Sequence, residues 1–150
     1  MIPIKSEREI ELLKIAGAIT GDTHRYLEPF IKPGITTKEL DDLAYNYILS
    51  RGATPSFKNY DGFPGSICTS INDEVVHGIP GNRKLKNGDI ISIDIGACYK
   101  GYHGDSAWTY PVGKISNRLE LLLKHTEEAL FAGLSVIKDG IHVGDIGYAV

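Results

Sequence analysis

Long apolar runs are missing from this 150-residue chain. No stretch approaches the roughly 18 consecutive apolar residues of a membrane-spanning helix, so no membrane partner is expected. Cysteine is scarce: Cys68 and Cys98 have neither CxxC spacing nor the density of a secreted disulfide scaffold, which points to two reduced thiols. An excess of basic charge is missing too. With 16 Lys and Arg against 19 Asp and Glu, the net charge of -3 offers no electrostatic footprint for a phosphate backbone, and no direct nucleic-acid partner is expected. The opening MIPIKSEREIELLK lacks the apolar core and small-residue cleavage site of a secretory signal, so a cytoplasmic protein is expected. What is there, 42% hydrophobic and 23% charged residues, is the balance of a globular domain rather than a disordered segment.

The pattern runs helix, helix, strands, helix, an α/β (α+β) order. SEREIELLKIAGAITGDTHRYLEPFI has a Ser6 to Glu9 capping box followed by helical spacing through Ile10, Leu13, Ile15, Ala16, Ile19 and Tyr26. After KPGITT, the segment TTKELDDLAYNYILSRG supplies a second N-cap, a stripe of Leu40, Leu43, Ala44, Tyr47 and Ile48, and Gly52 as a stop. ATPSFKNYDGFPGS reads as a loop whose aromatic side chains must find a partner surface, and loops of this kind often line sites. SICTSI, DIISIDIG, ACYKGY and DSAWTYPV read as strands, with NDEVVHGIPGNRKLKNG as a long connection and Lys100-Gly101 as a tight turn. RLELLLKHTEEALFAGLSVIKDG returns to helical period and closes at Gly140.

KDGIHVGDIGYAV, from Lys138, echoes KPGITTKELDDLA, from Lys32, at an offset of 138 - 32 = 106. Lys, Gly and Ile recur, Glu39 corresponds to Asp145, and Leu40 to Ile146. The echo predicts one domain over 1–150, with a first repeat over about 1–112 and the start of a second over about 117–150. Completing that second repeat would take at least about 60 further residues. The sheet of the first repeat would then expose an apolar face and favour self-association.

Two carboxylates stand inside β-prone runs. In IISIDIG, Ile91, Ile93 and Ile95 take one face and Asp94 the other, and Asp105 begins the partner strand of a hairpin. Paired ionised carboxylates in a sheet cost several kcal/mol unless a cation compensates them, and neither run carries Lys or Arg to neutralise both. A divalent metal held by hard oxygen donors fits this arrangement. So does a solvent-facing Asp94 with Asp105 capping a turn, and the strand pattern alone leaves both open. His77, in the Gly- and Pro-punctuated NDEVVHGIP, is either an exposed loop residue or a proton donor to a substrate. His24 and His125 read as surface or boundary positions, and His103 shares the strand face of Asp105 as a supporting residue at most.

CTSINDEVVHGIP, NGDIISIDIG and GYHGDSAWTYPVG together resemble the N-terminal portion of type I methionine aminopeptidases of bacterial kind, a likeness running through essentially the whole chain. The resemblance implies the pita-bread aminopeptidase fold, whose first pseudo-repeat is an antiparallel sheet with flanking helices; the second repeat would here be truncated. It implies two divalent metal ions (Co, Mn, Fe or Zn), with Asp94 as a ligand of one and Asp105 bridging both, and His77 contacting substrate near the scissile bond. Tyr60, Phe63 and Cys68 match positions that line a pocket for the methionine side chain, Phe57 less closely. A soft thiol and aromatic rings suit a thioether. Implied, too, are removal of the N-terminal methionine from nascent polypeptides at the ribosome, a small second residue, and a monomer when complete.

The family's further metal ligands, one histidine and two glutamates, come from a C-terminal half that this sequence does not contain, so the 150-residue chain alone should bind metal weakly and turn over slowly. Two other readings are an inactive pita-bread binding module and another pita-bread peptidase, aminopeptidase P or prolidase. The latter commonly carry a domain before the fold, whereas the first helix here begins almost at residue 1.

Overall fold

Helix α1, Glu7–Leu27, starts where the spacing predicts: Ser6 is its N-cap, and Glu9 accepts from the Ser6 N–H at 2.7 Å. The computed structural model describes residues 3–150. In α1 the buried face runs through Ala16, Ile19, Thr20, Thr23, His24 and Leu27, while Ile10 and Ile15 are exposed. The apolar stripe therefore lies further along the helix than the hydrophobic spacing predicts. Thr20 and Thr23 can sit inside because each hydroxyl donates to the carbonyl four residues earlier, Ala16 and Ile19.

Helix α2, Thr37–Ser50, carries the second capping box, Thr36 with Glu39, and buries Leu40, Ala44 and Ile48. Beyond it, Gly52 takes the left-handed conformation (φ 72°) that stops a helix. A two-residue strand β1, Thr54–Pro55, opens the segment expected to be pure loop. Strands β2 (Ile67–Ile71), β3 (Ile90–Tyr99) and β4 (Tyr102–Pro111) follow. All pairings are antiparallel and centre on β3, which meets β1 and β2 along one edge and β4 along the other.

DIISIDIG and ACYKGY are not separate strands. β3 runs unbroken from one into the other, then turns at Lys100 and Gly101, both with positive φ as a two-residue hairpin demands. Gly96 does not break the strand because the Phe57 ring fills the space its missing side chain leaves.

The two sheet faces differ in chemistry. Ile91, Ile93, Ile95 and Ile67 are all at 0% exposure on the face covered by α1 and α2. Each isoleucine removed from water contributes about 1.5–3 kcal/mol, so this layer holds the unit together. Gly104 lets β4 press against α1, since a Cβ there would stand 2.5 Å from backbone atoms of Ala16 and Gly17. The opposite face carries Cys68, Ser92, Asp94, Cys98, His103, Asp105 and Thr109, with the Ser92 and Thr109 hydroxyls hydrogen-bonded at 2.8 Å. The expected exposed apolar sheet face is thus not observed.

The chain divides into two compact units, the second being Ile115–Val150. In that unit α3, Asn117–Ser135, ends before Gly140 rather than at it, and Gly140 (φ 86°) turns the chain toward α4, Val143–Ala149. Leu121, Leu122, Leu130, Phe131, Leu134 and Tyr148 are exposed on these helices. Gly34 and Gly140 both have positive φ, and Glu39 and Asp145 each accept from the backbone N–H of their helix's N-cap, Thr36 and His142. The local geometry thus repeats at the same offset of 106 as the sequence.

Candidate metal centre

The β3–β4 register places the two aspartates together. Asp94 lies opposite Ala107 and Asp105 opposite Gly96, so the carboxylates are diagonal neighbours on one face, and Cys68 of β2 lies directly opposite Asp94. Asp94 is half-buried, and its Oδ1 is buried without a hydrogen-bond partner. Burial, and then the charge of Asp105, push the Asp94 carboxyl up from its ordinary 3.8 to about 6; His77 acts weakly the other way. Among the described residues, neither aspartate has a salt-bridge partner.

A cavity of about 550 Å³ opens over this face, and it brings Tyr60, Phe63, Cys68, His77, Asp94 and Asp105 together with Phe57. The residues singled out from sequence as metal-binding or substrate-binding thus share one site. Ile79, Pro64 and Asp61 also line it. Burial first, then the nearby carboxylates, raise the Cys68 thiol to about 11, so it remains protonated at neutral pH and is a soft wall rather than a nucleophile. Tyr60 is 77% exposed at the rim.

His77 is delivered by a tight approach of its loop to β2. Thr69 N–H donates to the Gly78 carbonyl at 2.8 Å, Gly78 N–H donates to Ser70 Oγ at 3.2 Å, and a Cβ on Gly78 would stand 2.1 Å from the Thr69 oxygen. Val76 and His77 both take positive φ (38° and 52°), a costly conformation, above all for a β-branched valine.

Three features escaped sequence reasoning. Asp41 is buried, and its Oδ1 accepts from Ser66 N–H at 2.6 Å and Ile67 N–H at 3.1 Å, anchoring the start of β2. Its place in the stripe with Ala44 and Ile48 could have flagged it. His24 is buried, not superficial: Nε2 donates to the Ser106 carbonyl and Nδ1 accepts from the Tyr110 hydroxyl, each at 3.0 Å. The contact of Ser56 with His103 (2.9 Å) joins segments 47 residues apart and left no sequence signal.

A divalent cation suits this donor set. Two hard oxygen donors are diagonal neighbours there, one with an orphaned buried oxygen, and neither has an ion-pair partner among the described residues. Among the described residues no group of three or more His, Cys, Asp or Glu could hold a metal. A helix-backed antiparallel sheet presents this pair beneath an aromatic-lined cavity, the arrangement of donors that a metal-dependent hydrolase would use. Residues 11–150 match the profile of Metallopeptidase family M24, and the chain belongs to that family.

Over 150 residues it is 57% identical to methionine aminopeptidase 1 of Bacillus subtilis, covering 100% of this chain and 60% of that protein. The crystal structure of methionine aminopeptidase from Rickettsia prowazekii matches with a TM-score of 0.96 at 42% identity, covering 99% of this chain and 60% of that one. An Xaa-Pro dipeptidase from Bacillus anthracis matches at 0.85 and 28%, covering 97% and 40%. The architecture is the pita-bread fold, present in part: the chain spans about 60% of the length of the methionine aminopeptidase it resembles at 57% identity. No helix among the described residues is long and apolar enough to cross a membrane.

Proposed function

We propose that this chain is the N-terminal part of a cytoplasmic, metal-dependent aminopeptidase that removes methionine from the N-termini of nascent polypeptides, preferring a small second residue. The observation that carries the proposal is the Asp94–Asp105 pair facing a cavity walled by Phe63, Tyr60 and Cys68. In this reading Asp94 and Asp105 would hold divalent metal, two ions in the full-length protein, whose chemistry there would be Lewis-acid activation of water and of the scissile carbonyl. The site residues act around that chemistry. The Phe63 and Tyr60 rings and the protonated Cys68 thiol receive the unbranched thioether. His77, on its pinned loop, donates a hydrogen bond to the substrate backbone and orients the bond to be cut. The higher identity and coverage of the methionine aminopeptidases relative to the Xaa-Pro dipeptidase favour methionine over proline chemistry. The retained carboxylate pair favours an enzyme over an inactive binding module.

The chain itself is proposed to be one incomplete catalytic domain, with the repeat boundary between about 112 and 117, and the completed protein to be a monomer. The test is Asp105→Asn in a protein of full family length. Loss of methionyl-peptide turnover by at least about 100-fold, with a single cooperative unfolding transition retained, is expected. Turnover equal to the parent would overturn the assignment.

A further inference from the structure

We propose that His103 is a positioning residue for the cavity wall: through Ser56 it locks the Phe57 ring over Gly96. The role in specificity rests on the methionine-pocket reading; the lock itself stands on geometry.

Ser56 is held from two strands at once. Its N–H donates to the Gly96 carbonyl of β3 at 2.9 Å, and its hydroxyl is hydrogen-bonded to His103 Nδ1 of β4 at 2.9 Å. A Cβ on Gly96 would stand 2.6 Å from Phe57 Cε1 and 2.8 Å from Ser56 Cβ, so the dipeptide Ser56–Phe57 lies directly on the glycine. Gly96 is the cross-strand partner of Asp105 and sits two residues beyond Asp94 on the same face. The Phe57 ring therefore occupies the side-chain position beside both carboxylates, where it lines the cavity. His103 is exposed and Ser56 only partly buried, and neither belongs to the isoleucine core. Their bond fixes the wall rather than the fold. Without it, the segment from Ser56 to Phe63 remains tied to Gly96 by one backbone bond, and the ring is free to swing away from the carboxylates.

The test reads the reaction rate of N-ethylmaleimide with Cys68, which lines the same cavity, in a Cys98→Ser background that leaves one thiol. His103→Ala and Ser56→Ala should each speed labelling about 5-fold, the effect of one lost neutral hydrogen bond. The double variant should be no faster than either single, and His103→Asn, which can still bond the hydroxyl, should stay near the parent. Each alanine variant should remain cooperatively folded, its thermal midpoint lowered by no more than the about 2–4 °C that one lost hydrogen bond allows. Unchanged rates, or effects that multiply in the double variant, would overturn the lock.

In a protein of full family length, His103→Ala should raise KM for a methionyl peptide about 5-fold with kcat nearly unchanged. Faster labelling with unchanged KM would overturn the role in specificity. A parent that labels as expected but cleaves no methionyl peptide would overturn the aminopeptidase reading and leave the lock standing.

Discussion

Replacing Asp94 with asparagine should make the metal-free chain more stable, because the site keeps a charge that the fold disfavours. The interval from the ordinary 3.8 to about 6 corresponds to about 3 kcal/mol at full strength. Asp94 is only half-buried, so solvent screening brings the usable figure down to about 1 kcal/mol. The sign follows from the raised value: the folded state favours the protonated carboxyl. Its contribution is fully present below about pH 4 and is lost as pH rises through about 6. Asp94→Asn should therefore melt about 2–4 °C above the parent at pH 7.5 in EDTA and show no such gain at pH 4. Divalent metal should reverse the order. At manganese one hundred times its Kd, the parent gains about 2.7 kcal/mol and the variant, lacking a ligand, gains far less. Thermal unfolding at both pH values, with and without manganese, checks this. A variant less stable than the parent at pH 7.5 in EDTA, or equally stabilised by manganese, would refute the argument that Asp94 is an uncompensated ligand.

Other expectations follow from buried polar groups near the site. Asp41→Ala leaves the Ser66 and Ile67 N–H groups without their acceptor and should cost about 2–3 kcal/mol in urea unfolding; Asp41→Asn, which keeps an acceptor oxygen, should recover more than half. Burial holds the His24 imidazole below its usual value, so the stability it contributes is present above about pH 6.5 and is lost as pH falls and the imidazole charges. His24→Gln should flatten that acid limb of a stability–pH curve. With its thiol raised to about 11, Cys68 should react with iodoacetamide at pH 8 about 100-fold more slowly than a thiol at the ordinary 9.0, as mass spectrometry of the labelled peptide would show.

Local signals were readable where the responsible residues are close in the chain. The Ser6–Glu9 and Thr36–Glu39 boxes, the Lys100–Gly101 turn and the alternation of Ile91, Ser92, Ile93, Asp94 and Ile95 each act over five residues or fewer in a row or turn, and each appears in the structure. Alternation alone placed Asp94 on the face away from the isoleucines, because side chains on a strand change sides at every residue. Hydrophobic spacing was less informative for α1, where the buried face includes Thr20, Thr23 and His24: a polar side chain can be inside when its hydrogen bonds are met by backbone carbonyls or by a tyrosine 86 residues away. Nothing within a few residues of His24 announces Tyr110.

By itself, then, the sequence determined α1 and α2 with their N-terminal caps, the hairpin turn and the opposed faces of β3 that set Asp94 away from the isoleucines. The tertiary structure alone decided that Tyr60, Phe63, Cys68 and His77 share a cavity with that pair, that Asp41 anchors β2, and that Ser56 and His103 meet across Gly96. The physical reason is range. Backbone periodicity and capping are set by neighbours a turn or a pleat apart, whereas a site is a set of long-range contacts selected by strand register and close packing, which no local pattern encodes.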